Sequence, residues 1–151
     1  ANFHGAARRF QIVRKYNDVY IINDYAHHPK EISVTLSAAR QRFPGSRIWC
    51  IFQPHQHSRT RLLMNRFANC FADADKIVLA PIYAARDPEN EIKAVSSSAL
   101  AEAISASGQA VQVAESLDEV VNVAASQVNL AQAKATEERT RAEALEALGG
   151  D

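Results

Sequence analysis

Glycine is scarce, and what there is does not cradle phosphate. The chain holds five glycines in 151 residues. None falls in a G-x-x-x-x-G-K-[ST] or G-x-G-x-x-G pattern, so no nucleotide loop of either kind is expected. A Ser-His-Asp arrangement with an exposed nucleophile elbow is missing too. Cysteine is limited to Cys50 and Cys70, without CxxC spacing. That argues against a disulfide framework and reads as two buried free thiols in a reducing compartment. Neither sign of charge dominates: 17 basic residues balance 17 acidic ones, so nothing points to nucleic acid or an anionic membrane. No apolar run approaches the roughly 20 residues of a membrane span. The first residues are basic and aromatic, without the apolar core of a signal peptide. There are no internal repeats. A cytoplasmic chain is expected.

What is present suits one α/β domain: 47% of residues are hydrophobic and 23% charged, and the length allows a real core. Residues 1–9 read as a connector. Phe10–Lys15 is expected as a short strand, Tyr16-Asn17-Asp18 as a turn, and Val19–Asn23 as a buried strand. From Lys30 the period changes. Ile32, Leu36, Ala39 and Phe43 line one helix face, Pro29 suits the first turn, Glu31 favours the helix dipole, and Pro44-Gly45 stops the helix. Ile48–Phe52 is continuously apolar, as for a strand covered on both faces. Leu63, Phe67, Cys70 and Phe71 mark a second helix. Lys76–Ile82 follows as a third apolar strand. The serines at 96–98 cap a helix that Gly108 ends, and Ala110–Val113 is a short strand. Ser116 with Glu119 forms a capping box for a last helix. Strands alternating with helices predict a Rossmann-like, doubly wound, mostly parallel sheet flanked by helices. Asn129–Leu148 reads as a solvated helical extension with a weak apolar stripe. The sequence stops at Asp151, immediately after Gly149-Gly150, so the domain is expected to lack its last strand, which would leave a sheet edge open to self-association.

Two strand ends carry the polar chemistry. One reads Asn23-Asp24-Tyr25-Ala26-His27-His28-Pro29, the other Gln53-Pro54-His55-Gln56-His57-Ser58-Arg59-Thr60-Arg61. In parallel α/β sheets, ligands bind at the carboxyl edge. The four histidines could hold a metal or simply cap helices and loops; no acidic or cysteine ligand stands at a familiar metal spacing, so no metal site is assigned. Asp24 can accept from a ribose or an amine, or cap the helix near Pro29. Tyr25 offers a flat face or a hydroxyl. Arg59 and Arg61 fall between a strand and a helix, where a carboxylate or phosphate clamp is plausible. Arginine at a helix start is unfavourable unless an anion balances it.

These segments resemble those of the UDP-N-acetylmuramate–L-alanine ligases, in the Mur ligase family. Asn23-Asp24-Tyr25-Ala26-His27-His28-Pro29 with Glu31-Ile32 is similar to that family's Asp-Asp-Tyr-Ala/Gly-His-His-Pro segment. Phe52-Gln53-Pro54-His55 with Ser58-Arg59-Thr60-Arg61 resembles its second signature. Phe3-x-Gly5-x-x-Arg8-Arg9-Phe10 looks like the approach to its third domain, and Ile82-Tyr83-Ala84-Ala85-Arg86 like a later turn. The four matches run in order over residues 3–90, and beyond residue 95 only the general pattern matches.

The resemblance implies a three-domain enzyme of peptidoglycan precursor synthesis that uses ATP and Mg2+. The muramyl carboxylate is phosphorylated, and the amine of L-alanine attacks the acyl phosphate. Residues 1–9 would connect from a central ATPase domain, which with the UDP-sugar domain would lie in cis outside this chain. Residues 10–151 would be the carboxyl-terminal domain, truncated at its end and unable to ligate alone. ATP and Mg2+ would be held mainly by the central domain. By position, Tyr25, His55 and Arg59 would surround the amino acid, Arg59 on its carboxylate, while Asp24, Asn23 and His28 would lie toward the nucleotide. The sequence departs from the pattern at Asn23, which replaces an aspartate, and at Gln56, where a basic residue is common. The Asn129–Leu148 extension is longer than usual. Other readings stay open: the ligase that attaches a whole tripeptide in murein recycling, a non-catalytic nucleotide-binding module, or a metal-dependent hydrolase.

Overall fold

The first two strands, β1 (Gln11–Tyr16) and β2 (Val19–Asn23), pair antiparallel, with Gln11 opposite Asn23 and Tyr16 opposite Val19. The computed structural model describes residues 9–16 and 18–148. Most of the expected connector, with Phe3, Gly5 and Arg8, therefore lies outside the described residues, as do Asn17 of the turn and the Gly149-Gly150 stop. The hairpin corrects one expectation. Val19–Asn23 is neither buried nor part of the parallel sheet: Tyr20 and Ile21 are each 38% exposed. So short a link brings the chain straight back, and two strands joined that way pair antiparallel. The Lys15 ammonium lies 4.9 Å over the Tyr20 ring and the Arg14 guanidinium 5.4 Å over Tyr16.

Helix α1 (Pro29–Arg42) forms where the apolar spacing places it, burying Pro29, Ile32, Leu36 and Ala39. His28, not Asp24, is its N-cap: Lys30 N donates to the ring Nδ1 at 3.4 Å. The Glu31 carboxylate accepts from the N–H groups of His27 and His28 at 3.1 and 3.2 Å, closing a capping box on donors the helix cannot satisfy. Phe43 ends the helix, and Gly45 turns the chain with φ +76°, a conformation that suits a residue without Cβ.

Three parallel strands follow, in the order β3 (Trp49–Phe52), β4 (Lys76–Leu79), β5 (Val111–Val113). The expected α/β architecture is present, a parallel sheet with flanking helices. Central β4 has Ile77, Val78 and Leu79 fully buried. Edge strand β3 leaves Ile51 47% exposed, so the covering expected on both its faces holds only in part. Between β3 and β4 the helix splits into α2 (His57–Leu62) and α3 (Met64–Ala68), hinging at Leu63. Between β4 and β5 lie α4 (Glu89–Ala94), which the sequence pattern did not reveal, and α5 (Ser97–Ala106), capped by Ser96 on Ala99 N at 3.1 Å. Phe52 meets Phe67 and Phe71 at ring separations of 5.6 and 5.7 Å, and Leu100, Ile104, Ile32 and Leu36 complete this core. Each such buried side chain contributes on the order of 1.5–3 kcal/mol. Cys50 packs against the same core and Cys70 is within it; both are free thiols that burial pushes up to about 12.

The last helix, α6 (Leu117–Leu148), is continuous and takes in the anticipated extension. Glu119 N donates to Ser116 Oγ, and the Glu119 carboxylate accepts from Glu115 N, so the box closes one residue earlier than usual. The described residues group into two compact units: those up to residue 24 with those from 121 on, and residues 25–120. Among the described residues, no helix is long and apolar enough to cross a membrane.

Asp75 joins three parts of the larger unit. Its carboxylate accepts from Ile48 N at 2.6 Å and from the Arg40 guanidinium at 2.8 Å. Those donors, Ile48 first, hold its pKa below the ordinary carboxylate value. A lowered folded-state pKa contributes stability above the unfolded pKa, and that stability is lost as pH falls through the folded value. Asp75→Asn should therefore cost about 1 kcal/mol at pH 7, a charged hydrogen bond discounted for exposure. In urea melts the gap to the parent should close below about pH 4. A gap independent of pH would rule the charged link out.

Candidate active site

The carboxyl ends of β3 and β4 are held together beyond the last regular pairs. Past Phe52 and Leu79, Tyr83 N donates to Pro54 O at 2.9 Å and Gln56 N to Tyr83 O at 2.8 Å. This bridge sets the His55 and Tyr83 rings 5.3 Å apart, while Gln53 Nε2 reaches Pro81 O at 3.2 Å. Two loops that start on neighbouring strands thus form one rim, as parallel pairing requires.

Gln56 carries the strain of this arrangement. It has φ +74° and ψ 128°, and Ala85 on the facing loop has φ +53°. Side-chain-bearing residues rarely adopt such values, and they persist only where neighbours enforce them. The enforcing contacts are visible: the Gln56 carbonyl accepts from both N and Oγ1 of the fully buried Thr60, at 3.1 and 2.8 Å.

Arg59 and Arg61 lie inside α2 rather than ahead of a helix, which corrects the sequence expectation. The anion that balances Arg61 belongs to the chain itself. Glu91 on α4 takes the Arg61 guanidinium in two bonds of 2.9 and 3.0 Å; the pair lowers the Glu91 pKa and raises that of Arg61. Asp87 sits at the amino end of α2. Its carboxylate accepts from the Ser58 hydroxyl at 2.6 Å and from Ser58 N at 3.1 Å, contacts that hold its pKa below the usual range. A carboxylate on unpaired first-turn N–H groups is stabilised by hydrogen bonding and by the helix dipole. His57 Nδ1 stands 3.8 Å from Asp87 and is buried without a hydrogen-bond partner. Arg59 is different. Its one bond is a long 3.4 Å contact to His55 O, and no carboxylate lies within ion-pair distance among the described residues.

The other expected site residues have contacts of their own. Tyr25, 52% exposed, sets its ring edge-on to His27 at 5.2 Å, and its carbonyl meets His27 Nδ1 at 3.0 Å. His28 caps α1. Asn23 pairs with Gln11 at the end of the hairpin, and Asp24 accepts from Phe10 N at 2.7 Å. Asn23 and Asp24 belong to the unit of residues 1–24 and 121–151; Tyr25, His28, His55 and Arg59 belong to the other. Sequence reasoning passed over Asp87, Ser58 and Glu91 as site residues. An Asp-Pro pair directly after a strand end was the available signal for Asp87; nothing local marks Glu91 as the partner of Arg61, thirty residues away.

A second cavity of about 290 Å³ opens between the ends of β4 and β5, lined by Ile82, Ser96, Ser97 and Val113 and sharing His57 and Pro81 with the rim. No three His, Cys, Asp or Glu side chains come together to hold a metal ion among the described residues.

Residues 8–147 match the family model described as the Mur ligase, glutamate ligase domain. Among curated proteins, the UDP-N-acetylmuramate–L-alanine ligase of Lachnospira eligens is 50% identical over 109 residues, 72% of this chain and 23% of that protein. The ligase of the same name from Clostridium acetobutylicum is 44% identical over 128 residues, 85% of this chain and 27% of its own length. The chain therefore spans about a quarter of the length of these relatives. The crystal structure of UDP-N-acetylmuramate–alanine ligase from Thermotoga maritima superposes with a TM-score of 0.62 at 29% identity, covering 80% of this chain and 24% of that one. A murein peptide ligase from Psychrobacter arcticus gives the same TM-score at 24% identity, a likeness of fold.

The strain at Gln56 is open to measurement. Gln56→Gly should raise stability by about 1 kcal/mol, because glycine adopts positive φ without steric cost. Gln56→Val should lower it. Equal midpoints for the parent and the glycine variant in denaturant titration would show that the backbone there is not strained.

Proposed function

Because this chain belongs to the Mur ligase family, as its glutamate ligase domain, we propose that it is the carboxyl-terminal domain of an ATP-dependent ligase joining L-alanine to UDP-N-acetylmuramate. The reaction proceeds through an acyl phosphate, in cytoplasmic synthesis of the peptidoglycan precursor. The domain's part is to hold the incoming amino acid and to close over the nucleotide site. One observation carries this reading: of two arginines on the same short helix, Arg61 is neutralised by Glu91 and Arg59 is not. A half-buried guanidinium left without a counter-ion, on a rim shared with His55 and Tyr83, suits the carboxylate of a free amino acid.

Arg59 takes that carboxylate, His55 stands beside it on the bridged loop, and Tyr25 completes the amino-acid side. Asp24, Asn23 and His28 belong to the nucleotide side. The described residues offer ATP and Mg2+ neither a glycine-rich loop nor a carboxylate cluster, so the fit of this chain to them is poor. Both are held chiefly by sequence outside it, with the central and UDP-sugar domains in cis, and the chain alone does not ligate.

The test is phosphate release from ATP and UDP-N-acetylmuramate by the chain joined to its native flanking sequence. Release should depend on L-alanine. Arg59→Ala should raise the KM for L-alanine about 10- to 100-fold, the worth of a charged hydrogen bond. Release that needs the tripeptide instead would assign the recycling ligase. No release with either amine would leave a nucleotide-binding module.

A further inference from the structure

The contacts that fasten α2 also determine where Arg59 goes. Ser58 and Arg61, three residues apart, lie on the same side of α2; Ser58 is tied to Asp87 in the segment leading into α4, and Arg61 to Glu91 within α4. Successive helical residues are rotated by about 100°, so a helix held through 58 and 61 turns residue 59 away from α4. Of the two ties, the one through Asp87 is the more sheltered, with its side chain only 4% exposed against 20% for Glu91. It also grips the backbone at the amino end of the helix, immediately beside Arg59. The bridge between His55 and Tyr83 lies four residues before Asp87 on the same loop, so one short segment holds both His55 and the start of α2.

We propose that Asp87 is a positioning residue for amino-acid recognition: its grip on Ser58 fixes the rotation of α2 so that Arg59 is presented to the substrate carboxylate. This rests on the function proposed above. Asp87 itself does not touch the substrate; it acts through Ser58. His57 Nδ1, buried and without a hydrogen-bond partner, stands 3.8 Å from the same carboxylate, whose hydrogen bonds go to Ser58 at the helix end.

Two measurements on Asp87→Ala and Asp87→Asn test it. On this chain alone, with no substrate, amide exchange at Ser58 and the NMR resonances of Arg59 Nε and the His55 ring should change in Asp87→Ala, with core amides in β4 unmoved. In the protein with its flanking sequence, the KM for L-alanine should rise roughly 10- to 100-fold, the scale of a misplaced binding group. The kcat and the KM values for ATP and the UDP-sugar should stay at the parent values. Asp87→Asn keeps an acceptor for Ser58 N and should recover much of the loss. A fall in kcat with KM for L-alanine unchanged, or a common rise in all three KM values, would overturn the proposal, since either is what simple loss of folded protein or of closure would produce. If the parent never responds to L-alanine, the proposed function fails, and the substrate-free resonances still decide whether Asp87 sets Arg59.

Discussion

Everything in the larger unit depends on β4 being paired on both sides. A strand buried to this degree must satisfy its N–H and C=O groups within the fold, and β3 and β5 do so along its length. Because all three run parallel, their carboxyl ends emerge at one edge. The loops after β3 and β4 are then neighbours without further design, and the bridge between His55 and Tyr83 continues the ladder into them. The rim is an extension of the sheet, not a loop laid over it. That is how an irregular backbone with two strained non-glycine residues is held in place.

A second theme is that the chain answers its own charges. Glu31 meets the start of α1, Glu119 the start of α6, Asp87 the start of α2, and Asp75 ties Arg40 to the beginning of β3. Each of these carboxylates meets backbone N–H donors, and Asp75 a guanidinium as well. Set against that pattern, Arg59 differs. Its neighbour Arg61 occupies an equally ordinary position on the same helix and has two bonds to Glu91. That difference is the physical basis for proposing that Arg59 meets a ligand while Arg61 serves the fold.

The same contrast explains how far sequence reasoning reached into the site. His55 and Arg59 stand close together on the rim, as their shared strand-end segment implied, because they are four residues apart and local geometry joins them. Tyr25 and His28 follow the same kind of polar strand end, on a strand that belongs to an antiparallel hairpin. The pattern of apolar residues in Val19–Asn23 does not distinguish a strand covered by helices from one left partly exposed in a hairpin. Asp87 and Glu91 were invisible for another reason: an acidic residue after a strand looks the same whether it binds a ligand, faces water or caps a distant helix.

What the sequence determined by itself is what short-range interactions control. The α/β class, the limits of α1 and α5 and the serine and glutamate caps all follow from periodicity and from donors satisfied within four residues. Tertiary structure alone decided which strands share a sheet, where the second helix breaks, which arginine is neutralised and which carboxylate holds α2. Those outcomes join residues about thirty positions apart, as Arg61 to Glu91 and Arg40 to Asp75. The free energy of such a contact depends on a geometry that exists only once the strands between them have paired.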